Sequence, residues 1–230
     1  MMDAKTRKEL LDAYEDLRVA DVRDGMDMLM LHAYGSMDQS IRPLWRTRAH
    51  GIAKTVRYVP YKGGIPCNSP EEYKKWTSKY YGSVCTYWWI ADIDPGDFAV
   101  IDASGVNAGL MGSENSLNGI IRGIRGYVTN GGVRDTDELI LEKVPFWSAM
   151  ISQTMVQGRL QFDSYDVPVS VGGVTVNPGD VVVADGDGVI VVPQDKALEV
   201  ARYAREIHEA DKAVRRGHYK ALGREPDGTV

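Results

Sequence analysis

Two apolar runs near the end of the chain constrain its fold more than any other feature. "VVVAD" (residues 181–185) and "VIVVP" (residues 189–193) are almost free of polar side chains, and turn residues bracket them at 178–179 and 186–188. Short apolar runs between turns are typical of strands. Successive side chains of a strand point to opposite faces, so both faces here are apolar. This predicts a sheet that is covered on both sides.

The rest of the chain alternates between strand and helix signals. "DPGDFAVIDAS" (residues 94–104) again places a Pro-Gly turn before an apolar run, and residues 49–61 are rich in β-branched and aromatic side chains. Apolar residues at helical spacing predict a helix over 5–18, and Asp21 is the expected N-cap of a second helix. The alternation indicates an α/β fold.

The stretch "SPEEYKKWTSKYYG" carries the clearest helix start in the chain. Ser69 can cap the helix, Pro70 takes its first position, and Glu72 stands three residues after the cap. Three aromatic side chains then recur at helical spacing and share one face: Tyr73, Trp76 and Tyr80. This stripe either packs on a core or a neighbouring subunit, or it stacks against a substrate.

A long charged segment from residue 194 to about residue 222 carries apolar residues at helical spacing and predicts a C-terminal helix. No linker or low-complexity tract separates it, or the N-terminal helical segment of about residues 1–35, from the remainder. We therefore expect one domain over residues 1–230.

Composition limits the classes of partner and compartment. The net charge is −5 and the basic residues are scattered, so we expect no nucleic-acid partner. The charged N-terminus is unlike a signal peptide, and no apolar run is long enough to cross a bilayer. Two cysteines, Cys67 and Cys85, are too few for a disulfide framework. We expect free thiols in a cytoplasmic protein without a membrane partner, a single bridge being the alternative.

The segment "NGGVRDTDEL" (residues 130–139) lies where a predicted strand becomes a predicted helix. Asp135 can serve as the N-cap of that helix, with Glu138 three residues on. Capping does not explain Arg134, because a cation beside the positive end of a helix is unfavourable without an anion between them. Together the guanidinium and the free backbone N–H groups indicate an anion or carbonyl site, and the aspartate could hold a hard cation.

A second glycine-bearing turn, "GLMGSENSLNG" (residues 109–119), also leads into a helical segment. Gly112 allows the backbone to approach a ligand closely, and the next three N–H groups, of Ser113, Glu114 and Asn115, would point outward from a helix start. Ordinary caps on a flexible connection remain the alternative for this turn alone.

These motifs, in this order, resemble the RraA-like family. The pattern is G-x-x-N at 112–115, R-D 19 residues later inside "GGVRD", and "PVSVGGVTVNPGDVVVADGDGVIVVP" after it. The family includes 4-hydroxy-4-methyl-2-oxoglutarate/4-carboxy-4-hydroxy-2-oxoadipate aldolases and the regulator of ribonuclease activity A. The resemblance implies an αββα swivelling-domain-like sandwich of β-sheets flanked by helices, in trimers or hexamers with sites between subunits.

The resemblance also implies a function and a set of roles. The chain would be a divalent-metal-dependent lyase that cleaves a C–C bond next to a pyruvoyl group, as an aldolase, an oxaloacetate-type decarboxylase or both, on a keto acid. Arg134 would bind the keto oxygen, and Asp135 would anchor Mg²⁺ or Mn²⁺ with water-mediated help from Glu209 of a neighbouring subunit, Glu206 being the second match. The turn would receive the carboxylate through Gly112, Ser113, Glu114 and Asn115.

The chain departs from the family pattern at two site positions and in one segment. The aldolases usually carry an acid where this chain has Ser113, and Glu114 is the expected replacement for it. Asn130 stands where an aspartate is frequent, and the aromatic segment 61–89 is unusually long. These departures keep open a non-catalytic regulatory binding protein, or a related enzyme with a changed reaction.

Overall fold

A computed structural model describes residues 2–230 as a mixed α/β fold, so Met1 of the predicted N-terminal segment lies outside the described residues. Its helices are α1 (Ala4–Ala13), α2 (Val19–Met28), α3 (Pro70–Ser83), α4 (Ser113–Ile121), α5 (Thr136–Leu141) and α6 (Ala197–Ala221). Its strands are β1 (Arg42–Pro43), β2 (Ala49–Pro60), β3 (Asp97–Asp102), β4 (Gly109–Met111), β5 (Gly126–Val133), β6 (Phe146–Ile151), β7 (Leu160–Tyr165), β8 (Val169–Val171), β9 (Val174–Val176), β10 (Val181–Asp185) and β11 (Gly188–Val192).

Nine strands form one mixed sheet, and β8 and β9 form a separate hairpin. The main path runs β1-β6-β5-β3-β2-β10-β11, with β4 added beside β5 and β7 beside β2. The pairs β2–β3, β3–β5, β5–β6 and β4–β5 are parallel, whereas the strands toward both ends of the path pair antiparallel. The parallel region is therefore the part of the sheet in which strand ends meet at one edge.

The sheet curls into two facing halves, and helices cover the outside of each. In β10, Val181 packs in a cluster with α1, α2 and α6, whereas Val182 packs in the interior cluster. In β3, Phe98 enters that same interior cluster, and Ala99 faces the cluster with α3, α4 and α5. Alternate residues thus enter different cores. The resulting four layers confirm the αββα arrangement and the sheet covered on both sides.

The N-terminal helices differ in detail from the prediction. The first ends at Ala13 and not at residue 18, because Asp16 has a left-handed backbone (φ 64°) that turns Leu17 back into the core. Asp21 is not the N-cap of α2, so that prediction was wrong. It occupies the third helical position, where its carboxylate accepts from the backbone N–H of Arg18 at 2.9 Å and contacts His208 Nδ1 at 2.9 Å.

The α3 segment forms as its cap predicts. The Ser69 hydroxyl accepts from the backbone N–H of Glu72 at 3.2 Å, and the Glu72 carboxylate accepts from the N–H of Asn68 at 2.7 Å. Tyr80 is fully buried, and the ring of Trp76 lies 4.9 Å from it between centroids. The aromatic stripe therefore packs on the core, which confirms the packing alternative.

Both cysteines are free thiols, as expected, and burial raises the pKa of Cys85 to about 12. None of the helices within residues 2–230 combines the length and the apolarity that a membrane span requires.

Candidate functional site

Two parallel strands end side by side at the candidate site. Gly109 of β4 pairs with Gly132 of β5, and Met111 pairs with Val133. A helix follows each strand almost at once, α4 after the first and α5 after the second. The carboxyl ends of parallel strands are the edge at which α/β proteins usually bind ligands. Both glycine-bearing segments, residues 109–119 and 130–139, meet at this edge.

Asp135 adopts a left-handed backbone and does not cap α5 with its side chain. Its φ and ψ are 55° and 43°. Its carboxylate instead accepts from the backbone N–H of Ser113 at 3.3 Å and from Arg134 Nε at 3.2 Å. Asp135 is therefore the N-cap residue of α5 by position, as predicted, and its backbone carbonyl accepts from the N–H of Leu139 at 3.0 Å. Its side chain, however, reaches across to the start of α4 and makes no capping hydrogen bond to α5.

Two glycines make room for this pair. A Cβ on Gly109 would lie 2.7 Å from Arg134 Cδ, and a Cβ on Gly112 would lie 2.3 Å from Asp135 Oδ2. Neither glycine has a positive φ, so space and not backbone conformation requires them. Sequence reasoning missed Gly109, although the G-x-x-G spacing of 109–112 was the available signal.

The start of α4 presents free backbone donors. Asp135 engages the N–H of Ser113, and the described residues supply no acceptor for the N–H groups of Glu114 and Asn115. These groups carry the positive end of the helix dipole. They form a ready position for one carboxylate.

These groups line one cavity of about 340 Å³. Its walls are formed by Tyr81, Tyr87, Gly109, Leu110, Gly112, Glu114, Asn115, Arg134, Asp135 and Met155. Five of the six predicted intrachain residues therefore lie together. The sixth, Ser113, stands beside the cavity, and its hydroxyl donates to the carboxylate of Glu142 at 2.7 and 2.9 Å.

The aromatic part of the lining comes from α3 and the turn after it. The Tyr81 and Tyr87 rings lie 6.5 Å apart between centroids, and the Tyr87 hydroxyl donates to the Leu110 carbonyl at 2.6 Å. Burial raises the pKa of both phenols, and the nearby positive charge of Arg134 opposes that rise. Sequence reasoning did not assign these two tyrosines to the site, although it singled out their segment.

Glu209 does not reach the cavity of its own chain. It is exposed on α6, which packs against α2 in the opposite outer layer. Glu206, the second match, forms an ion pair with Arg202 at 3.1 Å. A role for either residue at this site would require a neighbouring subunit.

The donor set fits a divalent cation held largely by water. Within residues 2–230, no three His, Cys, Asp or Glu side chains are grouped as metal ligands. Mg²⁺ commonly uses only one or two carboxylates and keeps several waters. Asp135 supplies one such carboxylate, which its two hydrogen bonds hold in place, and Gly112 leaves open the space beside Oδ2. Glu114 offers a second carboxylate from the same lining.

A larger cavity of about 460 Å³ lies near the start of β3. Its cations already have anionic partners: Lys54 contacts Asp166 at 2.8 Å, and Arg7 contacts Asp97 at 2.9 Å. It is not near the conjunction of Arg134, Asp135 and the α4 amides, and we do not assign the function to it.

Sequence comparison connects the chain to named proteins. The family model described as RraA-like (Aldolase/RraA) matches residues 10–191. Protein DlpA of Legionella pneumophila is 25% identical over 94% of this chain, but the match spans only 32% of DlpA. A Halalkalibacterium halodurans protein provisionally named as a 4-hydroxy-4-methyl-2-oxoglutarate aldolase is 32% identical over 54% of this chain and 60% of its own length. The chain thus spans less than two thirds of each of these relatives.

Solved structures match over nearly the whole chain. An uncharacterized protein from Pseudomonas syringae pv. tomato has a TM-score of 0.75 and 27% identity, covering 95% of this chain and 94% of its own. Streptomyces coelicolor RraAS2, described as an unusual member of the RNase ES inhibitor RraA protein family, has a TM-score of 0.71 and 26% identity, covering 93% and 97%. The family match over most of the chain, the shared fold and the R-D strand end agree: this chain belongs to the RraA-like family.

Proposed function

We propose that the protein is a divalent-metal-dependent lyase that cleaves a C–C bond next to a pyruvoyl group, as an aldolase, an oxaloacetate-type decarboxylase or both. The observation that carries the proposal is that a guanidinium, a carboxylate and the free N–H groups of a helix start line one cavity. Each of these groups stabilises or binds negative charge, or holds the cation that does so.

The substrate's own charges suggest how it would bind. The free N–H groups of Glu114 and Asn115 would receive the pyruvoyl carboxylate, and Arg134 would donate to the keto oxygen. Breaking the bond leaves its electron pair on the pyruvoyl fragment as an enolate, and the guanidinium stabilises the oxygen that gains charge. Asp135 would hold Mg²⁺ or Mn²⁺, which acts as a Lewis acid when bound. Glu114 would orient water beside it, as the acid that Ser113 cannot provide.

The test measures pyruvate release from oxaloacetate and from a panel of 4-hydroxy-2-oxo acids, with Mg²⁺, with Mn²⁺ and with a chelator. Turnover should require the metal, and Arg134→Ala should lower it by about 10²–10³-fold. Asp135→Asn should abolish the metal-dependent turnover. Asp137→Asn is the matched control, because it removes the same charge from an exposed position two residues away that does not line the cavity. Absence of turnover from folded, metal-loaded protein would refute the lyase assignment.

The assembly proposal is a homotrimer or hexamer in which Glu209 of one subunit helps to hold the metal's waters in the next. Large apolar side chains are exposed on α4, α5 and β6, at Ile121 (84%), Leu141 (81%) and Ile151 (67%), as at an interface. Mixing inactive Arg134→Ala with inactive Glu209→Ala subunits should restore activity, because some sites then receive both intact residues. No recovery on mixing, with subunit exchange verified, would contradict a shared site.

A non-catalytic regulatory role is the second candidate. The similarity to S. coelicolor RraAS2 over 93% of the chain favours it, since the aldolase-named relative matches only 54%. Inhibition of an RNase E-type ribonuclease that is equal for the parent protein and Arg134→Ala, without pyruvate release, would support this role.

A further inference from the structure

The cavity carries few charges beyond those that the proposed reaction uses. Among the described lining residues, Arg134 is the one cation, and Glu114 and Asp135 are the two carboxylates. A bound divalent cation and one pyruvoyl carboxylate would bring this chain's own set to neutrality, and Glu209 of a neighbouring subunit, where the assembly proposal places it, would add a further negative charge. A further carboxylate on the substrate would then enter a partly enclosed site without a counter-charge, which is costly.

Apart from Asn115 and the two glycines, the uncharged part of the lining offers apolar contact. The ring of Tyr87 is presented without a free hydroxyl proton, because that hydroxyl donates to the Leu110 carbonyl at 2.6 Å. Tyr81 lies beside it with the two ring planes 33° apart, and Met155 adds a thioether. Aromatic side chains bind other rings through stacked or edge contacts, and methionine adapts to irregular apolar groups.

Core packing beneath α3 holds in place the wall of the cavity that Tyr81 and Tyr87 form. Tyr80, the residue before Tyr81, is fully buried, and its hydroxyl donates to the Leu160 carbonyl. Its ring packs edge-on against Tyr61 with centroids 5.1 Å apart. Tyr81 therefore extends from an anchored helix turn, and the unusual segment 61–89 supplies a preformed face of the cavity.

We propose that the substrate is a 4-hydroxy-2-oxo acid whose C4 carries an uncharged aromatic or bulky apolar group in place of a second carboxylate. The proposal rests on the proposed lyase function. For the phenyl compound, 4-hydroxy-2-oxo-4-phenylbutanoate, the C3–C4 bond breaks and its electron pair forms the C2–C3 enolate. The C4 hydroxyl loses its proton to a base and becomes the aldehyde of benzaldehyde. A proton added at C3 completes pyruvate, so atoms and electrons balance without an oxidant or reductant.

The experiment compares kcat/KM for this phenyl compound, for 4-hydroxy-2-oxopentanoate and for 4-hydroxy-2-oxoglutarate, with oxaloacetate as a reference for the basic chemistry. The parent protein should prefer the phenyl compound to the glutarate compound by at least about tenfold. Tyr81→Ala should lower kcat/KM for the phenyl compound by about tenfold, mainly through KM, and should lower it by a much smaller factor for the pentanoate compound, whose methyl group offers the ring less contact. Tyr81→Arg should raise kcat/KM for the glutarate compound. Tyr73→Ala, two helical turns earlier and outside the cavity, is the matched control.

The outcomes separate the two proposals. Pyruvate from oxaloacetate together with a preference for the glutarate compound overturns the aromatic-substrate inference alone. An equal loss of kcat/KM on all three hydroxy acids in Tyr81→Ala also overturns it, because the tyrosine would then support the structure of the site and not the selection of the C4 group. No pyruvate from any compound, oxaloacetate included, refutes the lyase function on which the inference rests.

Discussion

Replacing Gly112 by alanine should disable the site without unfolding the protein. The new Cβ would lie 2.3 Å from Asp135 Oδ2, whereas ordinary contacts begin near 3.4 Å. The carboxylate must therefore move by roughly 1 Å, and a displacement of that size at a reacting centre costs about 10²-fold in rate. The backbone of Gly112 is extended (φ −144°), so alanine adopts it without strain. We expect a stability loss of no more than about 1 kcal/mol.

Three measurements on Gly112→Ala check this reasoning: kcat/KM for pyruvate release, Mn²⁺ affinity by calorimetry, and urea unfolding. Gly217→Ala is the control, because its Cβ meets open space within α6 and should stabilise the helix by up to about 1 kcal/mol without changing activity. A Gly112→Ala protein with normal Mn²⁺ affinity and kcat/KM within a few-fold of the parent would refute the role assigned to the Asp135 position.

Two further predictions concern the fold. Tyr58→Phe removes a buried hydroxyl that donates to the Thr86 carbonyl at 2.7 Å and accepts from Trp89 Nε1 at 3.0 Å, so urea unfolding should show a loss of about 2 kcal/mol; an unchanged midpoint would contradict this. The pKa of His50 lies below its ordinary 6.5, mainly because the imidazole is buried and secondly because the positive charge of Arg125 is close. The unfolded state therefore binds a proton more readily than the folded state, and the free energy of unfolding should fall as the pH drops below about 6.5. His50→Gln should flatten that dependence in unfolding curves; an identical slope would exclude His50 as its source.

Local signals in the sequence were sufficient for the layers and for much of the secondary structure. The apolar residues of β10 and β11 are enough to predict a sheet with two covered faces. The cap of α3 involves only Ser69 and the backbone N–H of Glu72, three residues later. Arg134 could also be identified, because no local role explained a guanidinium at the start of a helix. Each of these inferences depends on residues close together in the chain.

The remaining features depend on contacts between distant segments. Tyr81 precedes the 109–135 motifs in the sequence and Met155 follows them. Both line the cavity, and no spacing rule connects either residue to Asp135. The side-chain cap expected of Asp135 does not form for a related reason: an aspartate near a helix start looks the same in sequence whether its carboxylate binds that helix or a group elsewhere. For Asp135 the decisive partner is the backbone N–H of Ser113, 22 residues earlier in the chain.

The left-handed backbone of Asp135 also limits which residues the fold accepts there. Glycine, asparagine and aspartate adopt this conformation at little cost, and most other side chains are strained in it. Only aspartate among the three carries a charge. A single change to asparagine or glycine would therefore satisfy the backbone while removing the carboxylate that would anchor a metal. Under the proposed function, the protein is thus one tolerated substitution from an intact fold that lacks its metal anchor, and residue 135 is the first position to inspect when function is transferred between proteins of this shape.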